Sequence, residues 1–322
     1  GIAENVGGPV RHQLRLRTPN GRILECSENR DTELFYATIG GMGLTGHILE
    51  IEFSLEKIPT PWIWQETTRI EGIDEFIQSL KIAAREWPFT VGWIDCLTQD
   101  RNMGRGILMC GRWATPEEAP SDPPPQRTNF CLPISFPSWT LNRYSIQLFN
   151  SIYFHHHIPR VKKGIVHPES FFYPLDSIRD WNKMYGASGF TQYQCVLPEG
   201  QHPGVAKRFM ELVSSLECSS FLCVIKDCGR EGRGILSFPM PGITIALDIP
   251  IRKNTQTVID TLNEFTIGEG GRINPCKDTF TKAEHYRAME RRLDRWSAIR
   301  QKWDPERRIH SAQSVRLLGD PS

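Results

Sequence analysis

A chain of 322 residues is long enough for two domains, or for one domain interrupted by another. Its 38 Lys and Arg balance its 37 Asp and Glu, so the basic excess typical of nucleic-acid-binding proteins is missing and no such partner is expected. No apolar run approaches the roughly 20 residues of a membrane span, and the first residues lack the layout of a signal peptide, which favours a soluble, cytoplasmic protein. The nine cysteines form no CxxC pair, which disfavours a disulfide framework or a zinc site.

The first predicted elements are a hairpin and a glycine-rich turn. Apolar and polar residues alternate on both sides of residues 19–21, which predicts two antiparallel strands. Gly41, Gly43 and Gly46 then match the GxGxxG spacing, but the following HILEIEF is typical of a strand. A dinucleotide fingerprint needs strand, turn and helix, so the order helix, turn, strand argues against a Rossmann fold. These glycines either approach a flat or phosphate-bearing ligand or only reverse the chain, and their spacing leaves both alternatives open.

The next elements indicate an α+β fold. Apolar positions over residues 72–87 predict a helix whose buried face holds Ile73, Phe76, Ile77, Leu80 and Ala84. Residues 114–127, rich in Pro and acids, predict a flexible surface loop. Strands are predicted at 89–97, 104–113, 148–159, 189–198, 221–228 and 243–251, and helices at 203–216, at 255–267 and from a capping box at Thr281 to Trp303. This order favours a sheet covered by helices on one face.

Several motifs, taken together and in this order, resemble one family. They are ELFYATIGGMGLTG, the strand with Trp93, FFYPLDSIRDWNKMYGASGFTQYQCVLP, LSFPMPG, the Cys276-Lys277-Asp278 step and WSAIRQKWDP. In these motifs the chain resembles the decaprenylphosphoryl-ribose oxidases, which are flavoproteins of the vanillyl-alcohol oxidase and aldonolactone oxidase superfamily. The resemblance covers nearly the whole chain.

The resemblance implies a split fold. Residues 1–60 and 272–322 would be the C-terminal part of a PCMH-type FAD-binding domain, and residues 61–271 an inserted substrate domain of antiparallel sheet covered by helices. The N-terminal half of the flavin domain, with its phosphate-binding loop, is not in the sequence, so we expect the chain to be truncated. A flavin-free remnant that acts as an interaction module is the corresponding alternative.

The resemblance also implies a reaction. FAD would accept a hydride from the carbon that bears a secondary hydroxyl of a polyprenyl-phosphate-linked pentose, while a base or solvent takes the hydroxyl proton. This would be the 2'-oxidation of a two-step epimerisation that supplies a cell-wall polysaccharide precursor. A short-chain reductase would be the partner for the second step, and the lipid-linked substrate would bring the protein to the membrane periphery. Oxidation of an aldonolactone or sugar acid is an alternative within the same superfamily.

Site residues follow from the same motifs. Lys277 is expected to supply a fixed cation beside flavin N1 and C2=O, where reduction places negative charge. Gln192 and Gln194 stand two apart on one strand and should share a face, where both would bind substrate and Gln194 would also be catalytic. The other predicted positions are Tyr153 (catalytic), Lys226, Trp93 and Thr244 (substrate) and Gly41, Gly43, Leu44, Thr45, Gly46 and Ile48 (cofactor).

Without the resemblance, Lys277 and Lys226 would be interpreted as solvent-facing lysines, Trp93 as core and the two glutamines as a solvated face. A metal site is not expected at His155–His157: on a strand, His155 and His157 would share a face, but no carboxylate stands nearby at ligand spacing. The sequence also departs from the family pattern. Ala246 stands where some family members carry a reactive cysteine, Met42 replaces a polar residue, Asn274 an aromatic residue and Ala312 an acid, which points to a diverged member.

Overall fold

Strands and amphipathic helices follow one another along the described part of the chain. The structure is a computed structural model that describes residues 13–98, 102–126, 130–137, 140, 142–199, 204–216, 220 and 222–321. The strands are β1 (Gln13–Arg17), β2 (Ile23–Ser27), β3 (His47–Glu52), β4 (Ile63–Ile70), β5 (Phe89–Ile94), β6 (Gly106–Trp113), β7 (Phe130–Cys131), β8 (Val161–Val166), β9 (Ile178–Arg179), β10 (Phe190–Leu197), β11 (Cys223–Asp227), β12 (Ile243–Pro250) and β13 (Arg272–Ile273). The helices are α1 (Thr32–Thr38), α2 (Ile73–Glu86), α3 (Arg143–His156), α4 (Pro168–Phe172), α5 (Val205–Ser215), α6 (Thr255–Gly268), α7 (Ala283–Met289), α8 (Leu293–Trp303) and α9 (Ala312–Leu318), with 3-10 helices at Pro174–Ser177, Trp181–Tyr185 and Pro275–Lys277.

The N-terminal segment forms a three-stranded antiparallel sheet in the order β2-β1-β3. The predicted hairpin is confirmed, and Gly21 adopts the positive φ of 84° that its turn requires. The order α1, glycine turn, β3 is also confirmed, and it differs from that of a dinucleotide fingerprint. α1 packs on α8, where Trp296 Nε1 donates a hydrogen bond of 2.9 Å to the Ala37 carbonyl oxygen.

The main sheet has eight strands in the order β13-β10-β12-β11-β5-β6-β4-β8, and every neighbouring pair is antiparallel. Because side chains alternate between the two faces, one face is apolar and packs beneath α2, α5 and α6. On that face the ring of Phe76 lies against Gly92, and the rings of Tyr193 and Phe209 stack with centroids 6.4 Å apart. The predicted α+β class with an antiparallel sheet is confirmed, as are the helices α5 and α6.

The helix predicted over residues 72–87 is confirmed as α2. Its buried side chains include the predicted Ile73, Phe76, Ile77 and Leu80. Ala84 is exposed, and Ala83 takes the predicted place on the buried face.

The strand predicted over residues 148–159 is wrong, because most of these residues belong to α3. Asn142 begins this helix: its side chain accepts hydrogen bonds from the backbone N–H groups of two residues of the first turn. Ile146, Asn150 and Phe154 are buried and recur at every fourth position, which is helical spacing. The cap and this spacing outweigh the aromatic and β-branched composition that suggested a strand.

The prediction that helices cover only one face of the sheet is also wrong, because α3 lies on the other face. Phe154 packs with Trp93 and Ile107 on the face opposite α2, and Tyr153 reaches the site from this helix instead of from a strand. Successive side chains on a helix are about 100° apart, so His155 and His157 do not share a face as they would on a strand.

The predicted helix from Thr281 to Trp303 is wrong as one element, since it consists of α7 and α8. Between them the Glu290 carboxylate accepts hydrogen bonds from the backbone N–H and Nε of Arg292, at 3.1 and 2.7 Å, which fixes a turn. Thr281 does not cap α7. Its buried hydroxyl accepts a hydrogen bond of 3.0 Å from Asn263 Nδ2.

A continuous cluster of buried apolar side chains joins all three predicted segments of the chain, from Ala37 through Ile225 to Leu317. The predicted domain boundaries at residues 60 and 271 stay predictions. Residues 114–126 contain neither helix nor strand, as expected for a loop, and its flexibility stays a prediction. No helix in the described ranges combines the length and apolar character needed to cross a membrane.

The packing of Gly92 predicts a specific sensitivity of the sheet to an added methyl group. A Cβ at Gly92 would lie 2.5 Å from the ring of Phe76 and 2.6 Å from Ile225, so Gly92→Ala should lower the free energy of unfolding by about 1–3 kcal/mol. The matched control is Gly164→Ala in β8, where a Cβ would meet nothing within 4 Å, and it should change stability by less than about 0.5 kcal/mol. Urea unfolding measures both, and equal midpoints for the two variants would contradict this packing.

Candidate functional site

The face of the main sheet that α2, α5 and α6 leave uncovered carries polar side chains on β10 and β12. Gln192 and Gln194 project to this face on either side of the buried Tyr193, as their spacing predicts. Gln192 Nε2 donates a hydrogen bond of 2.8 Å to Asp248 Oδ1, and Gln194 Nε2 donates one of 3.1 Å to Thr244 Oγ1. Both amides are therefore oriented by neighbours on β12.

Asn274 connects this pair of strands to Lys277. Its Nδ2 donates to Gln194 Oε1 at 3.0 Å, and its backbone N–H donates to the Gln194 carbonyl oxygen at 2.8 Å. The Asn274 side chain also accepts a hydrogen bond of 3.1 Å from the Cys276 backbone N–H, which caps the 3-10 helix Pro275–Lys277. Asn274 thus fixes the segment that carries Lys277 next to the strand that carries Gln194.

Two lysines share this face. The Lys226 side chain, on β11, keeps contact with solvent, but the protein around it lowers the pKa of its ammonium group, first through desolvation and second through the like charge of Lys277. Among the described residues, neither ammonium group has a carboxylate oxygen within 4 Å. The two positive charges are therefore available to an anionic ligand.

Asp248 is a buried acid that sequence reasoning missed. It is 2% exposed, and burial raises the pKa of its carboxyl above the ordinary 3.8, against the opposing effects of the Gln192 hydrogen bond and the Lys277 charge. The signal was present, since Thr244, Ala246 and Asp248 recur with period two opposite the two glutamines. Asp248 orients Gln192 and adds a negative charge behind the polar face.

An aromatic cavity of about 760 Å³ adjoins the polar face. The Trp93 and Tyr153 rings meet edge to face with centroids 4.7 Å apart, and Phe149 stacks on Tyr153 at 6.1 Å. Burial raises the pKa of Tyr153 above its ordinary 10.0, so the phenol is neutral at pH 7 and is suited to donate a hydrogen bond to a ligand instead of acting as a base. Lys226 lines the cavity and also borders the polar face, so the cavity and the polar face form one continuous site.

The remaining wall of this cavity comes from α4 and the residues that follow it. Phe171 fills the space above Gly111, where a Cβ would lie 2.6 Å from the ring. Phe172 meets Phe89 edge to face at 5.1 Å, and Tyr173 continues the lining. The FFYP segment of the sequence motif is thus the wall that faces α3 across the cavity.

The predicted cofactor residues of the glycine turn lie elsewhere. Cβ atoms at Gly41 and Gly46 would collide with the carbonyl oxygens of Ala37 and Arg17, so close packing of the chain with itself explains both glycines. Gly43, at φ 75°, borders open space. Leu44 and Thr45 are buried, whereas Ile48 is exposed on β3. None of the six lines the aromatic cavity, and their role in cofactor binding stays a prediction.

Comparison with known proteins gives relatives along the whole chain. No family model matches. The chain is similar, at 28% identity over 98% of its length and 70% of the relative, to a decaprenylphosphoryl-beta-D-ribose oxidase of Mycolicibacterium smegmatis. At 26% identity, 97% of the chain matches 88% of a Streptomyces coelicolor protein named for its position in the mprA 5'region. A shorter match of 53 residues, 16% of the chain and 9% of the relative, is 40% identical to cytokinin dehydrogenase 1 of Arabidopsis thaliana.

The resemblance predicted from the motifs is therefore confirmed. The named relatives are an oxidase and a dehydrogenase, and the chain is an oxidoreductase.

The raised pKa of Asp248 predicts how its replacement alters stability with pH. A raised folded-state pKa contributes stability that is complete below the ordinary 3.8 and is lost as pH rises through the raised value. Asp248→Asn cannot ionise and still accepts the Gln192 hydrogen bond, so its free energy of unfolding relative to wild type should increase from about pH 4 to about pH 7. Urea unfolding across this range measures the difference, with the exposed Asp294→Asn as control. A difference that does not change with pH would contradict the burial of a charged Asp248.

Proposed function

Because the chain is an oxidoreductase similar along 98% of its length to a decaprenylphosphoryl-beta-D-ribose oxidase, we propose that it binds FAD and oxidises a secondary hydroxyl of a polyprenyl-phosphate-linked pentose. The observation that carries the proposal is the continuity of the polar face with the aromatic cavity through Lys226. The polar face suits a sugar and a flavin edge, and the aromatic cavity suits a lipid tail.

The polar face fits one edge of a flavin. Lys277 and Gln194 are the residues that would hold it: the Gln194 amide on β10 is held by Thr244 and Asn274, and Asn274 begins the segment after β13 that carries the Lys277 ammonium group. FAD, when bound, would supply the two-electron acceptor for the hydride of the substrate carbon, and the hydroxyl proton would pass to a base or to solvent. Lys277 stabilises the negative charge that develops at this edge, and because its backbone is fixed through Asn274, little reorganisation is needed during the reaction.

The remaining groups fit the substrate. Lys226 has no carboxylate partner within the described residues and stands beside Lys277, so a phosphate group would relieve the repulsion between the two ammonium groups. Gln192, held by Asp248, presents an amide to a sugar hydroxyl. The aromatic and apolar lining around Trp93 and Tyr153 excludes water and accepts prenyl units.

Oxidation of a ring hydroxyl gives a keto sugar. If the reaction is the first step of an epimerisation, the class of enzyme that consumes this product is a reductase, and a short-chain reductase partner is part of the proposal. The same lipid-linked pentose would serve as a precursor of cell-wall polysaccharide. The size and apolar lining of the cavity favour this substrate over a free aldonolactone or sugar acid, which presents no apolar surface to bury.

The proposal predicts that Lys277→Ala lowers kcat/KM for polyprenyl-phosphate ribose by at least about 100-fold in FAD-loaded protein. The cause is the loss of the cation that stabilises charge in the transition state. The control is Lys302→Ala, whose side chain is 68% exposed on α8, and it should retain wild-type turnover. Steady-state assays with the lipid-linked pentose and with a free aldonolactone measure both variants.

Three results would contradict the proposal. Wild-type turnover by Lys277→Ala would show that this lysine does not stabilise charge in the transition state. A higher kcat/KM for the free lactone than for the lipid-linked pentose would favour the aldonolactone oxidase alternative. A protein that binds no FAD and turns over neither substrate would favour the interaction module.

A further inference from the structure

The outward side of α3 carries large apolar side chains that the fold leaves uncovered. Tyr144, Leu148 and Ile152 recur at every fourth residue and therefore share one side of the helix. They are 81%, 64% and 61% exposed. Ile158, just beyond the helix, is 74% exposed. Single exposed apolar residues are common, but three aligned on one side of a helix with a fourth close by in sequence mark an interaction surface. These four residues are called the α3 surface below.

The α3 surface is continuous with the mouth of the aromatic cavity. Phe149 and Tyr153, the neighbours of Leu148 and Ile152 in sequence, line the cavity from the inner side of the same helix. Across the cavity, Tyr173 is 58% exposed. A molecule that contacts the α3 surface therefore also touches the entrance through which an apolar ligand reaches Lys226.

The sequence that contains this surface is biased towards positive charge. Residues 123–168 include no Asp or Glu, although the whole chain has 37, and they include five Lys and Arg and four His. Some of the positive charge is paired: Arg160 contacts Glu75, and Lys163 contacts Glu66. Lys162, between them, is exposed on β8. An apolar row bordered by basic residues is typical of segments that lie in the interface of an anionic membrane.

We propose that the α3 surface docks on an anionic lipid bilayer and places the mouth of the aromatic cavity against the membrane. A lipid-linked substrate then moves from the bilayer into the cavity without exposing its prenyl chain to water. The four apolar side chains enter the headgroup region, and Lys162 contacts lipid phosphates. The choice of a lipid-linked substrate rests on the proposed function, whereas the docking itself is independent of it. A second copy of this chain is the competing occupant of the surface.

Vesicle co-sedimentation of the full chain tests this proposal. Wild type should bind vesicles that contain phosphatidylglycerol more tightly than vesicles of phosphatidylcholine alone, and added salt should weaken that binding. Leu148→Gln/Ile152→Gln should bind the anionic vesicles at least about tenfold more weakly, since two apolar side chains no longer enter the interface. The matched control is Ile82→Gln, an exposed isoleucine (57%) on α2 at the opposite face of the sheet, and it should bind as wild type does.

Both substituted positions are exposed, so the double variant should keep the wild-type urea midpoint, and this measurement identifies a folding defect. No binding by wild type, or equal binding by the double variant, would overturn the proposal. So would sedimentation equilibrium that shows a wild-type dimer and a monomeric double variant, because a second copy would then cover the surface.

Turnover assays distinguish an error in the proposed docking from an error in the proposed function. If both hold, the double variant oxidises a short-chain, water-soluble phosphate-linked pentose at the wild-type rate but is slow on substrate embedded in vesicles. If the function is wrong and the docking is right, neither substrate is oxidised, while the tenfold difference in vesicle binding remains.

Discussion

The site depends on one constraint: successive side chains in the eight-stranded antiparallel sheet alternate between its two faces. One face must be apolar because α2, α5 and α6 bury it, so the residues between those buried positions are forced onto the other face. Gln194, Lys226 and Trp93 stand on three strands of that face, so the sheet places them on one surface without any contribution from long loops. A shift of one residue in the register of β10 would bury both of its glutamines and expose Tyr193, so the stability of the core and the arrangement of the site are set by the same pairing.

The site combines one buried acid with two lysines at its open side. Asp248 is buried and accepts a hydrogen bond from Gln192, while the ammonium groups of Lys226 and Lys277 repel each other at the open side. Desolvation and then the Lys277 charge lower the pKa of Lys226, and a bound phosphate would offset the repulsion between the two ammonium groups, so the arrangement favours an anion. The aromatic lining adds apolar contact area next to the charged groups. Binding energy from a lipid tail is therefore available to position a sugar that itself makes few contacts.

Local patterns predicted the parts of this fold that local forces decide. The shared face of Gln192 and Gln194, the hairpin and the helix-turn-strand order around the glycines all follow from spacing. α3 did not follow, because its aromatic run resembles a strand until the cap at Asn142 is known. Asp248 was missed although the period-two pattern of its strand places it on the face of the two glutamines, because a lone acid is usually interpreted as solvent-facing. The ring that covers Gly92 was also unpredictable, since the sequence does not show which distant side chain fills the space that a glycine leaves.

The central claim is that one continuous surface holds a flavin edge, a phosphate-linked sugar and its lipid tail. It is tested most directly by the visible absorbance of the protein after incubation with FAD and desalting, followed by anaerobic addition of polyprenyl-phosphate ribose. The account predicts that the flavin bands are retained and that the substrate bleaches them, because the hydride passes to the bound cofactor. A protein without flavin bands, or bands that the substrate leaves unchanged, would contradict it.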